Sequence, residues 1–136
     1  MIESVRVSPA ARDQLITLKR RTGITHWNEL CRWAVCRSLG ESTPPADVPI
    51  SVEDGIEMSW RTFAGPHGDL YLGLIRHRCA LDGLDTDDIA VARYLRLHLH
   101  RGIGYLFGDA EVNSIRGLLR LVDARRHAAE KASAAG

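Results

Sequence analysis

The chain has little of what staples or anchors a protein of its size. Its three cysteines, Cys31, Cys36 and Cys79, are an odd number with no CxxC pair. That excludes a disulfide framework and a structural zinc pattern, and they read as reduced, partly buried thiols. No window approaches the ~20 consecutive apolar residues that a membrane span needs. The N-terminus lacks the apolar core of a signal peptide, so a cytoplasmic protein is expected. No GK[ST] element occurs, and no GxGxxG follows a strand. The run Gly102-Ile103-Gly104-Tyr105-Leu106-Phe107-Gly108 therefore reads as a tightly packed or hinged helix junction. No nucleophile–base pair of diagnostic spacing is present, which counts against an enzyme.

Net charge is also scarce: 18 Lys and Arg face 17 Asp and Glu, leaving +1. A neutral total argues against a nucleic-acid partner only if the charges are evenly mixed, and they are not. Residues 1–40 hold seven cations and three acids, whereas residues 41–60 hold five acids and no cation. Residues 61–90 hold three cations and five acids, and residues 91–136 eight and four. Both ends are basic and the middle is acidic. Lysine is nearly missing: apart from Lys19 and Lys131 every cation is Arg, the better bidentate partner for phosphate.

What is there is ordinary globular material. With 136 residues, 45% hydrophobic and 26% charged, the chain suits a single domain over residues 1–136. Val5 and Val7 alternate with Ser4, Arg6 and Ser8, which predicts a short strand. Ser8-Pro9 then opens a helix with Ala11, Leu15, Leu18 and Thr22 on one stripe, and Gly23 stops it. Thr25 is expected to cap a second helix, with Trp27, Leu30, Cys31, Ala34 and Val35 inward and Gly40 at its end. Trp33 lies beside that stripe and is a candidate subunit contact. Residues 41–55, with Pro44, Pro45 and Pro49, read as an extended acidic connector. Met58 to Phe63 alternates like a strand. A third helix over 69–82 would bury Leu70, Tyr71, Leu74, Ile75 and Cys79. Thr86 would cap the next segment, where a Val91–Leu95–Leu99 stripe favours helix over the competing Leu95–Leu97–Leu99 alternation. A last helix over about 113–131 would turn Ile115, Leu118, Leu119 and Val122 inward, with 128–136 a frayed tail. The fold class is mainly α: a small helical domain with a short N-terminal strand and a ribbon-helix-helix-like N-terminal outline.

Three groups of residues bear on function. Lys19-Arg20-Arg21, just before the Gly23 turn, could clamp phosphates or could simply offset the negative end of a helix dipole. A ribbon-helix-helix regulator would present Ser4, Arg6 and Ser8 to a major groove. His98 and His100 diverge on a helix, so hydrogen bonding or phosphate contact fits them better than a shared metal. His26, His67, His77 and His127 are scattered, and no metal or cofactor is expected. An enzyme reading, as a nickase or sulfur acceptor, would have to use His98, His100 or Cys31.

Longer strings carry a family resemblance. Met1 to Arg6, Leu18-Lys19-Arg20-Arg21-Thr22-Gly23-Ile24, Trp27-Asn28, Leu30-Cys31-Arg32-Trp33-Ala34, Glu57-Met58-Ser59-Trp60 and Arg96 to Leu106 resemble the DndE family of DNA sulfur modification proteins. The resemblance spans about residues 1–108. It implies a small, mainly helical, non-catalytic accessory protein of DNA phosphorothioation that forms a homotetramer and binds nicked or distorted double-stranded DNA. Its implied company is a cysteine desulfurase, an iron–sulfur sulfur-transfer protein and an ATPase-like protein. The basic DNA-binding surface of such a protein maps onto Lys19, Arg20 and Arg21, and then onto Arg32 and Arg101. The Gly23 turn maps onto a close subunit contact.

Overall fold

The structure, a computed structural model, describes residues 2–135. It is mainly α. Strand β1 (Ser4–Val7) leads into helices α1 (Pro9–Thr22) and α2 (Trp27–Leu39). After an irregular connector come strand β2 (Ile56–Ser59), the short helix α3 (Trp60–Ala64) and a 3-10 turn (Gly65–His67). Helices α4 (Gly68–Leu81), α5 (Asp88–Gly108) and α6 (Ile115–Ala135) complete the chain.

The N-terminal third follows its sequence signals. Val5 and Val7 are buried while Arg6 is exposed. The Ser8 hydroxyl accepts from the Ala11 N–H at 3.1 Å, and α1 buries Ala11, Leu15, Leu18 and Thr22, the expected stripe. The β-α-α outline of a ribbon-helix-helix unit is present. However, β1 finds its antiparallel partner in β2 of the same chain, with Arg6 opposite Glu57.

Other signals were displaced by a residue or two. Helix α2 starts after His26, not Thr25, and His26 makes no side-chain cap. Asp87, not Thr86, caps α5 by accepting from the Ala90 N–H at 2.8 Å. The strand expected over Met58–Phe63 ends at Ser59, whose hydroxyl caps α3 instead. Residues 94–101 are helical, and α5 continues without a junction through Gly102 and Gly104. Helix α6 begins at Ile115 rather than 113 and runs to Ala135, so residues 128–135 continue the helix.

The core lies where α5 packs along α2, flanked by α1 and the sheet, with Leu15, Leu18, Leu30, Phe63, Ile75, Leu99 and Ile103 fully buried. Two expected inward faces are different. Leu70 and Leu74 of α4 are exposed, as are Ile115, Leu119 and Val122 of α6. Helix α4 instead turns Arg78 inward, only 8% exposed. Its guanidinium donates to Asp82 at 2.9 Å and to the backbone carbonyls of Leu39, Glu41, Ser42 and Thr43 at 2.6–3.2 Å. Those carbonyls belong to the end of α2 and the start of the connector. Arg78 therefore ties two segments distant in sequence to α4, with a fork suited to several acceptors at once.

Candidate nucleic-acid interface

The last turn of α1 carries Lys19, Arg20 and Arg21, where cations offset the negative helix end. The turn that follows is rigid. Gly23 sits at φ 78°, a left-handed conformation that costs glycine nothing, and its N–H bonds to the Lys19 carbonyl at 2.9 Å. The buried Thr22 hydroxyl donates to the Leu18 carbonyl at 2.7 Å and accepts from the Ile24 N–H at 3.2 Å. The chain then reverses into α2, which brings Trp27 back beside α1. Ile16, Lys19, Arg20, Ile24, Thr25 and Trp27 line an open groove of about 430 Å³ between the two helices. No carboxylate lines it. The Lys19 Nζ lies 4.0 Å from the Trp27 ring centroid, a cation–π contact. Arg20 is exposed and has no partner among the described residues.

The remaining candidate cations are not gathered here. Arg21 points toward the end of α5, donating to the Phe107 carbonyl at 3.0 Å with its guanidinium 5.1 Å from the Phe107 ring. Arg32 donates to the Phe63 carbonyl at 2.8 Å. Arg101 donates to the Ser38 hydroxyl and carbonyl, both at 2.8 Å, and to the Thr43 carbonyl at 2.6 Å. Arg6 pairs with Glu57 across the exposed face of the sheet at 3.3 Å. Of the two candidate subunit contacts, Gly23 is exposed with open space where a Cβ would stand. Trp33 is half-buried beside Cys36, Arg37, Leu121 and Val122, and does not line the groove.

The groups of the enzyme reading face inward. Burial pushes the Cys31 thiol up to about 12, against a smaller pull from Arg32, so it stays protonated near neutral pH. His100 Nε2 accepts the Ser8 N–H at 3.0 Å, which leaves Nδ1–H to donate to the Arg96 carbonyl at 2.8 Å. His98 is fully buried, with Nδ1 2.8 Å from the Ser38 hydroxyl and its ring edge-on to Tyr94. Among the described residues, no group of three or more His, Cys, Asp or Glu is placed to hold a metal ion. Nor, among the described residues, is any helix long and apolar enough to cross a membrane.

The two histidines give the fold a defined acid response. Burial, reinforced by Arg101 and Arg78, lowers His98 from 6.5 to about 4, and burial also lowers His100. The unfolded chain therefore takes up protons that the native chain refuses. Stability should be complete above pH 6.5 and fall as pH drops toward 4, with His98 contributing about 3 kcal/mol of the loss. Urea midpoints measured across that range should show the slope, and His98→Asn should flatten most of it. A His98→Asn profile as steep as the parent would contradict the assignment.

The groove residue Trp27 was legible only as part of the α2 stripe. Its position at the first turn of α2, just past a cationic turn, is the signal that places it on a surface.

Comparison with known proteins follows the same division of the chain. The family described as "DNA sulphur modification protein DndE" matches residues 4–114, which takes in everything from β1 to the residue before α6. No curated relative matches the chain. Among solved structures, DndE from Escherichia coli B7A, described as involved in DNA phosphorothioation modification, superposes with a TM-score of 0.66 at 21% identity. The match covers 78% of this chain and 98% of that one. A glycine-to-lysine double mutant of DndE superposes with a TM-score of 0.62 at 18% identity, covering 80% of this chain and 100% of that one. At these identities the superpositions establish the shared fold, and the family match over most of the sequence establishes the kinship: the chain belongs to the DndE family of DNA sulphur-modification proteins.

Proposed function

We propose that this protein is a non-catalytic accessory subunit of DNA phosphorothioation that binds nicked or distorted double-stranded DNA. It acts in the cytoplasm as a homotetramer, beside a cysteine desulfurase, an iron–sulfur sulfur-transfer protein and an ATPase-like protein. The observation that carries the reading is the groove between α1 and α2, where Lys19 and Arg20 flank an indole and no carboxylate competes. Among the described residues Arg20 has no partner and Lys19 makes only a ring contact at the groove edge, so both are available to phosphate oxygens. Arg21, Arg32 and Arg101 direct N–H groups to backbone carbonyls of the same chain and rank behind them. Arg6, neutralised by Glu57, ranks last. Four copies would repeat the groove around a symmetric assembly and explain how a chain of net charge +1 can hold a polyanion.

The test is a gel shift on nicked duplex with Lys19→Glu/Arg20→Glu, which leaves the Arg21–Phe107 contact in place. Retention of the DNA should be abolished while the far-UV circular dichroism and unfolding midpoint stay at parental values. Neutralising the two side chains with Ala instead should reduce the slope of log K against log salt by about two per engaged protomer. Undiminished binding by the Glu pair would remove this surface from the proposal.

A further inference from the structure

We infer that the groove between α1 and α2 takes an unstacked nucleobase, with the Trp27 ring as its stacking platform. The inference rests on the DNA-binding reading and adds to it a second kind of contact. Phosphate alone would need only Lys19 and Arg20. The groove offers more than that: Ile16, Ile24 and Trp27 form apolar walls, and Ile16 is 48% exposed on a helix whose two leucines, Leu15 and Leu18, are fully buried. An apolar slot rimmed by cations matches a nucleotide, which has a flat π-face on one side and a phosphate on the other. It does not match phosphate, which has no apolar face.

The ring already holds a guest of the weaker kind. The Lys19 ammonium sits over its centroid at 4.0 Å at the half-buried edge of the groove, with no carboxylate lining the groove beside it. A cation–π contact that is not fully desolvated is weaker than a base–aromatic stack, so a base displaces the ammonium. The freed ammonium, on a flexible four-carbon stem, can then reach the adjacent phosphate. One exchange thus produces both contacts. The other two indoles are set differently: Trp60 packs against Phe63 at 5.4 Å, and Trp33 lines a groove that also holds the Glu29 carboxylate. Intact duplex has no free base face to offer. At a nick or an end a base can unstack at lower cost, because it has lost its covalent neighbour on one side. Stacking on Trp27 would therefore make the protein prefer broken duplex to intact duplex of the same sequence.

The experiment compares affinities of the full chain for nicked and intact duplexes across a salt series, using the parent, Trp27→Leu and Trp27→Phe. A 5-iodouracil at the nick tests the contact directly by ultraviolet crosslinking and peptide mapping. The parent should prefer the nicked duplex and crosslink at Trp27. Trp27→Leu should weaken nicked-DNA binding about tenfold, bringing it close to that for intact duplex, and keep the parental salt slope. Trp27→Phe, which keeps a ring and guards against misfolding of the Leu variant, should retain most of the preference. Nicked-DNA binding that survives Trp27→Leu, or a crosslink that maps elsewhere, overturns the base-stacking inference and leaves the DNA reading standing. Failure of the parent to bind either duplex overturns both.

Discussion

Gly102→Ala should lower the unfolding midpoint by roughly 4–8 °C, whereas Gly104→Ala, two residues along the same helix, should raise it by about 2–4 °C. The contrast isolates one contact. A Cβ at Gly102 would stand 1.8 Å from the Ala34 carbonyl oxygen and 2.4 Å from its carbon. Both atoms are backbone, so relief requires α2 to move away from α5 along the main helix–helix interface of the core. Overpacking typically costs ~1–3 kcal/mol and more where backbone must shift, so about 3 kcal/mol is expected here. The helix propensity gained by replacing glycine, ~1 kcal/mol, offsets only part of it. At Gly104 nothing lies within 4 Å of the added methyl, so the propensity gain stands alone. Thermal and urea unfolding of the two variants decide the matter. Equal shifts of one sign would mean that α2 and α5 do not approach so closely.

That contact also shows how far the sequence could be read. Three glycines within seven residues announced close packing or a hinge, and close packing at Gly102 is what the fold uses. Nothing local distinguishes Gly102 from Gly104, because the discriminating atom is a carbonyl on another helix, 68 positions away in the numbering of Ala34 and Gly102. The stripes of α1 and α2 were legible because both helices bury one face against a single core. Those of α4 and α6 were legible only in part, with Ile75, Cys79 and Leu118 buried as expected. Periodicity finds an apolar face but not whether anything covers it, and Leu70, Leu74, Ile115, Leu119 and Val122 remain exposed. The site shows the same limit. Lys19 and Arg20 stood out as a cationic run, yet their separation from Arg32 and Arg101 depends on carbonyls that only the folded chain brings near. Trp27 reads as core because its spacing fits the α2 stripe, and only its place in the first turn of the helix, just past a cationic turn, marks it as a groove residue.

Arg78→Met should be among the most damaging single changes in the protein, at about 3–5 kcal/mol, although a helix-face reading would have placed this arginine in solvent. Met keeps the apolar stem and removes the charge and the donors, so volume is nearly held constant. Two penalties then appear together. Asp82 loses a buried partner, and the carbonyls of Leu39, Glu41, Ser42 and Thr43 lose their donor. Burial pushes the Asp82 carboxyl up, but the Tyr94 hydroxyl and the Arg78 guanidinium outweigh it and hold the group below its ordinary value. Without Arg78 the Asp82 carboxylate keeps the Tyr94 hydroxyl but loses its charged partner, so its burial is compensated less well. The double variant Arg78→Met/Asp82→Asn should therefore recover part of the loss, because the stranded charge is gone while the carbonyls stay unpaired. Arg78→Lys should fall between parent and Met, since an ammonium can face Asp82 but cannot span four carbonyls with a planar fork. Urea unfolding of the three variants separates the two penalties. Recovery in the double variant measures the Asp82 charge, and the remaining deficit measures the junction between α2 and the connector. If Arg78→Met lowered stability by less than 1 kcal/mol, that junction would have to be held by Arg101 and its bonds to Ser38 and Thr43 instead.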